Sequence, residues 1–93
     1  MSEWPFADPR NVAIFTVRQI MRDHQPILLV RHDEKDGAWQ FLPAGDLNMS
    51  DALLVSLESV VKLDPSVAEL ADLPMGWRAA RAHPGAPWSR TRS

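Results

Sequence analysis

The chain has 93 residues, of which 45% are hydrophobic and 24% charged, and its formal net charge is −2. This length predicts one domain with a single modest core. The chain contains no cysteine, which excludes disulfides, thiol chemistry and cysteine-based zinc sites. No apolar run approaches the roughly 20 residues of a membrane helix. The first residues also lack the basic start and apolar stretch of a signal peptide. We therefore expect a cytoplasmic domain that uses neither a membrane nor a cofactor.

The charges are distributed unevenly along the chain. Residues 1–73 contain all 12 acidic residues and six of the ten basic ones, whereas residues 74–93 contain four arginines and no acid. Such an acid-free end either folds back onto the acidic body, which we favour, or meets an anionic partner. Four arginines without a lysine cluster are few for a nucleic-acid surface, so nucleic-acid binding by this end is the least favoured function.

The first part of the chain predicts an arm, a strand and a helix. Residues 1–11 are expected to form a loosely held N-terminal arm, and the apolar residues 12–15 predict a short strand. Thr16 can then open a helix, because its hydroxyl can accept a hydrogen bond from a free backbone N–H. Gln19, three positions later, completes a capping box. Pro26 is expected to end this element.

The middle of the chain predicts a hairpin followed by another strand. Residues 27–30 form an uninterrupted apolar run, which is typical of a strand covered on both faces. Residues 33–37 have the chemistry of a hairpin turn, since an Asp-Gly pair supplies the positive φ that such loops need. The alternating residues 38–42 predict the returning strand, and residues 52–56 predict a further strand, with a helix as the alternative.

The second half predicts two short helices, a last strand and a tail. Ser56 and Asp64 are the expected N-caps, and Pro65 suits the first helical position. Residues 76–81 alternate as a strand, and residues 83–93 are expected to form a C-terminal tail. The order of elements predicts a single α+β domain over residues 1–93. It should have a mainly antiparallel sheet of about five strands, with two or three short helices on one face.

No pattern in the sequence indicates catalysis or metal binding. The three histidines lack the spacing of a helical metal site. The segment that starts at His32 is rich in carboxylates but lacks the regular oxygen ligands of a calcium loop, so we interpret it as a solvated turn. No serine lies in a nucleophile elbow, and the four glycines do not form a phosphate-binding loop. We therefore expect a non-enzymatic protein.

Residues 64–88 contain a recognisable pattern, which consists of Asp64-Pro65-Ser66-Val67, Leu70-Ala71-Asp72-Leu73-Pro74, Gly76-Trp77, Ala79, Arg81 and Pro87-Trp88. This pattern resembles the C-terminal signature of a family of small, uncharacterised bacterial proteins, and the resemblance extends over nearly all of the chain. The pattern is also distantly similar to a family of immunity proteins of bacterial polymorphic toxin systems. The resemblance implies a cytoplasmic α+β domain and supplies no catalytic residues.

Four residues near the C-terminus are the predicted contacts to a partner: Trp77, Arg78, Arg81 and Trp88. Tryptophan and arginine are the residue types that most often anchor interfaces, and an acid-free end suits an acidic partner. For Trp77 the alternative to a partner contact is packing in the core. For Trp88 the alternative is that it docks the tail onto the body of the protein. The leading hypothesis is a protein-binding domain that uses the edge of the last strand and the tail, with a toxin domain as one class of partner.

The alternative function is a small-molecule-binding or weakly enzymatic pocket. It would lie beside Trp39, His32 and the loop 43–51. A mostly apolar cleft with a few converging polar groups would favour this alternative, and a filled convex surface would exclude it.

Overall fold

A six-stranded sheet forms the centre of the computed structural model, which describes residues 3–93. The strands are β1 (Ala13–Val17), β2 (Leu29–His32), β3 (Trp39–Leu42), β4 (Ala52–Ser56), β5 (Trp77–Ala80) and β6 (Ser89–Arg92). The chain also forms two α-helices, α1 (Arg18–Met21) and α2 (Leu57–Leu63), and two 3₁₀ helices, Met49–Asp51 and Pro65–Leu70. No helix of the described residues is long and apolar enough to cross a membrane.

The strands follow the order β4-β1-β3-β2-β5-β6 across the sheet. Every neighbouring pair is antiparallel except β1 and β3, which are parallel. The predicted α+β class, the mainly antiparallel sheet and the single domain are therefore confirmed, with one strand more than the five expected.

The two α-helices and the 3₁₀ helix Pro65–Leu70 cover only one face of the sheet, whereas the 3₁₀ helix Met49–Asp51 belongs to a loop beside the other face. Side chains of a strand alternate between the two faces, so each strand contributes one set of residues to the core and one to the opposite side. The fully buried side chains of the core include Ile14, Val30, Trp39, Phe41 and Ala79 from the strands, and Ile20, Leu57, Val60, Val67 and Leu70 from the helices. We call the side that carries the two α-helices the covered face and the other side the open face.

The predicted N-cap at Thr16 was wrong. Thr16 lies within β1, is 1% exposed, and its Oγ1 donates to the Phe41 carbonyl at 2.8 Å. Helix α1 follows Val17 and has no side-chain cap, while Gln19 Nε2 donates to Asp51 Oδ2 at 2.6 Å instead of completing a capping box. The pairing of β1 with β3 and β4 extends the strand through Thr16, and this tertiary pairing outweighs the local capping preference.

Other local predictions are confirmed. Gly37 closes the hairpin with a φ of +70°, a value that glycine adopts without steric cost, and its amide donates to the Asp33 carbonyl at 3.1 Å. Ser56 Oγ accepts from the Ser59 amide at 3.1 Å, and Asp64 Oδ1 accepts from the Ser66 amide at 3.1 Å. The first strand of the hairpin was predicted at residues 27–30, and in the structure it begins and ends two residues later, at Leu29–His32.

The segment 83–93, predicted as a tail, contains strand β6. This strand pairs with β5 from Ala80↔Ser89 to Trp77↔Arg92. Strand β5 consequently lies between β2 and β6, so the expectation that the last strand forms an exposed sheet edge at Trp77 was wrong. The sequence of β6 has no apolar residue that could have indicated a strand.

The N-terminal arm is docked on the covered face. Phe6 is 5% exposed, and its ring packs edge-on against Trp39 with a centroid distance of 5.3 Å. Trp4 Nε1 donates to the Asp8 carbonyl at 2.6 Å, and Trp39 Nε1 donates to Asp8 Oδ1 at 3.1 Å. The predicted arm 1–11 is thus held by its aromatic residues, and its first two positions lie outside the described residues.

Candidate functional site

Arg81 is buried, and its guanidinium binds residues of the same chain. Its side chain is 2% exposed. Nε donates to the Ile27 carbonyl, Nη1 to Ser66 Oγ and Nη2 to Asp64 Oδ2, each at 3.0 Å. Arg81 thereby connects the end of β5 to the start of the 3₁₀ helix that Asp64 caps. Arg81 therefore stabilises the fold, and little of its side chain is accessible to a partner.

Trp88 covers the guanidinium of Arg81. The centre of its ring lies 4.2 Å from the Arg81 Cζ atom, which is a cation–π contact. Trp88 is also packed against the core, so it is half-buried and not a free anchor on a tail. The competition between a docked and a partner-binding Trp88 is therefore resolved in this structure in favour of docking, with Arg81 as the docking site.

Trp77 and Arg78 lie on opposite faces of β5. Trp77 is half-buried on the covered face, where its cross-strand neighbours are His32 and Arg92. Arg78 is exposed on the open face, where its cross-strand neighbour in β2 is Arg31. The four predicted binding residues therefore do not form one surface, and Arg78 alone lies on the open face.

The open face presents a row of cross-strand neighbours that crosses the whole sheet. In spatial order the row is Leu54, Phe15, Gln40, Arg31, Arg78 and Thr91. It is apolar at β4 and β1, where Leu54 is 64% and Phe15 44% exposed. It becomes basic at β2 and β5, where both arginines are exposed. Of these six residues, only Arg78 was among the predicted partner contacts.

A groove of about 730 Å³ lies on the apolar half of the open face. One wall is the sheet at Phe15, Leu29 and Ala80, and the other is the loop 43–51, which contributes Leu47 and Met49. The loop side chains are exposed, Leu47 to 45% and Met49 to 87%. Single exposed apolar residues are ordinary, whereas a contiguous group of them marks a contact surface. Four of the five large exposed apolar residues of the described chain belong to this region: Phe15, Leu47, Met49 and Leu54.

The open face continues from the groove into a basic hollow of about 490 Å³. Arg31, Lys35 and Arg78 line it together with the turn acids Asp33 and Glu34. Asp33 Oδ1 accepts a hydrogen bond from the Lys35 amide at 2.7 Å, and among the described residues Asp33 forms no salt bridge with either arginine. Within residues 3–93, neither Arg31 nor Arg78 forms a salt bridge.

The pairing of Arg31 with Arg78 has an electrostatic consequence. Like charges that lie directly opposite each other on neighbouring strands destabilise a sheet. A carboxylate or another anion placed between the two guanidinium groups would offset this repulsion, and guanidinium groups bind carboxylates through paired, charge-assisted hydrogen bonds. The arrangement can therefore hold an anionic group at the basic end of the open face.

The predicted pocket beside Trp39, His32 and the loop 43–51 does not form as one site. Trp39 is 1% exposed on the covered face, and the His32 ring stacks on it with a centroid distance of 3.8 Å. His32 Nδ1 lies 2.7 Å from the Leu73 carbonyl oxygen, which fixes the imidazole from the other side. The loop lines the groove on the open face, so the sheet separates it from Trp39.

Two carboxylates outside the open face have lowered pKa values. A hydrogen bond from Arg10, 2.8 Å from Glu58 Oε2, lowers the pKa of Glu58. A hydrogen bond from Arg90, 2.9 Å from Asp72 Oδ1, lowers the pKa of Asp72. The first pair fastens the N-terminal arm to α2, and the second fastens β6 to the segment after the 3₁₀ helix Pro65–Leu70. Both pairs serve the fold.

The fold and the site define an α+β domain with one open, partly apolar and partly basic sheet face. No family model matches the chain, and neither a curated protein nor a solved structure is significantly similar to it. The resemblance to uncharacterised bacterial proteins and to immunity proteins therefore stays a prediction.

Proposed function

We propose that this chain is a non-enzymatic protein-binding domain of the bacterial cytoplasm that holds its partner on the open face of the sheet. One observation carries the proposal. The open face combines a group of exposed apolar side chains with two arginines that have no salt bridge in residues 3–93. A surface of this composition fits a partner that presents apolar side chains next to carboxylates.

The size and composition of the open face support a protein as the partner. Neighbouring strands lie about 4.8 Å apart, so a row across six strands extends roughly 24 Å. A standard interface covers about 800 Å² of each partner, which a patch of this width can supply. Aromatic residues, methionine and arginine are enriched in interfaces, and the face offers Phe15, Met49, Arg31 and Arg78.

The resemblance to immunity proteins gives the class of partner to test first. An immunity protein neutralises a toxin domain by binding it, and a toxin domain with an acidic, partly apolar surface would complement the open face. Opposite charges across the interface would speed association and orient the partner. Such binding should weaken as the salt concentration rises, because exposed charges are screened.

A charge-reversal experiment tests the proposal. The double variant Arg31→Glu/Arg78→Glu reverses the basic end of the open face. The control Arg22→Glu/Arg92→Glu makes the same change in net charge at two exposed arginines outside the row. Partners are captured from native lysate on each immobilised protein, and the captured protein is then purified and titrated by calorimetry. We expect at least about tenfold weaker binding for the open-face variant and unchanged binding for the control.

Three results would count against the proposal. Equal loss of binding in both double variants would show a general charge effect, and unchanged binding in both would remove the open face from the interface. Retention on DNA that falls steeply with salt, without a protein partner, would favour nucleic-acid binding.

A second candidate function is the binding of a small molecule in the groove. Its volume of about 730 Å³ lies in the range of ligand pockets, which is roughly 300–1,000 Å³. The ligand would be a carboxylate with an apolar chain, since the groove is apolar and opens towards Arg31. Native mass spectrometry of the purified protein would reveal such a ligand. The variant Phe15→Lys should lose it, whereas Arg22→Glu should keep it.

A further inference from the structure

The two edges of the sheet differ in how they are protected. Strand β6 at one edge reads Ser-Arg-Thr-Arg and carries two positive charges. Strand β4 at the other edge reads Ala-Leu-Leu-Val-Ser and has no charge, no proline and no glycine. Its five residues pair with β1 in unbroken register, so it has no bulge either. Proteins usually place charges, prolines or bulges on an edge because an unprotected strand is a template for another strand.

The outer side of β4 offers unpaired backbone groups. In an antiparallel ladder, residues alternate between pairs that exchange hydrogen bonds and pairs whose backbone groups point away from each other. The Leu57 amide donates to the Val12 carbonyl at 2.9 Å, which makes these two a hydrogen-bonded pair in the β1–β4 register. By the same alternation Val55 bonds to β1, and the amide and carbonyl of Leu54 point away from the sheet.

We propose that two copies of this chain pair along β4, antiparallel, about a two-fold axis at Leu54. In this register Leu54 exchanges both backbone hydrogen bonds with the partner's Leu54. The Ser56 amide donates to the carbonyl of the partner's Ala52. The contact is isologous, so one edge satisfies itself and no second kind of surface is needed.

Side chains and charges near β4 are compatible with this pairing. Leu54 is 64% exposed and would pack against the partner's Leu54 on the open side of the joined sheet. The acids that flank the strand are already neutralised: Asp51 Oδ1 lies 2.8 Å from Arg18 Nε, and Glu58 Oε2 lies 2.8 Å from Arg10 Nη1. Neither of these two flanking acids is therefore left without a basic partner to oppose its own copy across the axis.

The dimer would extend the open face across both copies. A two-fold axis through paired edge strands stands perpendicular to the sheet, so both open faces point the same way and their apolar ends meet. A five-residue edge buries less than the roughly 1,200 Å² of a stable interface, so we expect a weak, concentration-dependent dimer. The pairing rests on β4 alone and does not depend on the proposed partner.

Sedimentation velocity with a matched pair of variants tests the dimer. Leu54→Lys places a charge at the apolar end of the row. Thr91→Lys places the same charge on the same face at the opposite edge of the sheet. Over a range of about 5 to 500 µM chain, we expect the wild type and Thr91→Lys to approach twice the monomer mass. Leu54→Lys should remain monomeric, with a circular dichroism spectrum like that of the wild type.

Hydrogen exchange of the wild type gives an independent measurement if a variant fails to fold. As the chain concentration rises, exchange of the Leu54 and Ser56 amides should slow, while the Val55 amide, already bonded to β1, should not change. A wild type that stays monomeric at the highest concentration would overturn the proposal. If Leu54→Lys still forms the dimer, or if the Leu54 amide of the wild-type dimer is not protected from exchange, the two copies pair through another surface. Either result would also overturn the proposal.

Discussion

Replacing Arg81 with alanine should destabilise the fold far more than replacing Arg78, although the two arginines are three residues apart. The Arg81 guanidinium donates to Ile27, Ser66 and Asp64 and is covered by the Trp88 ring. Alanine would leave three buried or half-buried acceptors without a donor and would expose the face of the tryptophan ring. An unsatisfied buried group costs about 1–3 kcal/mol, and more where a charge is involved.

The size of the effect follows from the exposure of the partners. Breaking a buried ion pair by removing one side costs about 3–5 kcal/mol. The Asp64 side chain is 26% exposed, so water can reach it in the variant and the lower end of the range applies. We expect Arg81→Ala to lower the free energy of unfolding by about 3 kcal/mol. A domain of this size has about 5–14 kcal/mol in total, so the loss is a large part of its stability.

Urea unfolding followed by tryptophan fluorescence measures this prediction. The control is Arg78→Ala, which should change the free energy of unfolding by less than about 0.5 kcal/mol because Arg78 is exposed. A double-mutant cycle with Asp64→Ala should give a coupling energy of about 1–3 kcal/mol. If Arg81→Ala is as stable as Arg78→Ala, the Arg81 contacts do not hold the fold in solution, and Arg81 becomes available again as a partner contact.

Two further predictions concern single contacts. Thr16→Val keeps the shape of the side chain but removes the hydrogen bond to the Phe41 carbonyl, so unfolding in urea should show a loss of about 1 kcal/mol, whereas Thr16→Ser should keep the bond. No loss in the valine variant would contradict the contact. The Arg90 hydrogen bond lowers the pKa of Asp72 below its ordinary value of 3.8. Its stabilising contribution is therefore present above about pH 4 and is lost as the pH falls through the lowered pKa. Asp72→Asn should unfold with a smaller dependence on pH in this acidic range, and an unchanged dependence would exclude the pair as a cause.

Elements of the fold were predictable where capping residues or turn residues mark their ends. Ser56 caps α2, and strand β4 begins and ends at the predicted residues 52 and 56. Thr16 could not be assigned in this way because its hydroxyl suits both a helix cap and a strand. The choice is made by Phe41, a hydrogen-bond partner 25 residues away in sequence. Strand β6 was also unpredictable, since an exposed edge strand of polar residues has no hydrophobic alternation.

The candidate site was less predictable than the fold. Phe15 lies in a continuously apolar run, and such a run does not show which residues face the core and which face the open side. Only the register of β1 against its neighbours places Phe15 and Leu54 side by side on the open face. Arg31 follows the apolar run 27–30 and belongs to no predicted site, and its pairing with Arg78 depends on the same tertiary register.

The arginines in the acid-free end of the chain have different roles, because side chains alternate between the two faces of the sheet. Some of these arginines stabilise the fold, and Arg78 is available to bind a partner. Arg81 binds Asp64 and Arg90 binds Asp72, so for these two arginines the expected return to the acidic body is confirmed. Arg78 points to the opposite face because side chains alternate along β5, and it meets another arginine there instead of an acid. An anionic partner is therefore expected at the pair Arg31 and Arg78 rather than along the whole basic end. A variant that removes only this pair separates partner binding from stability, since both guanidinium groups are exposed and neither holds an acid within residues 3–93.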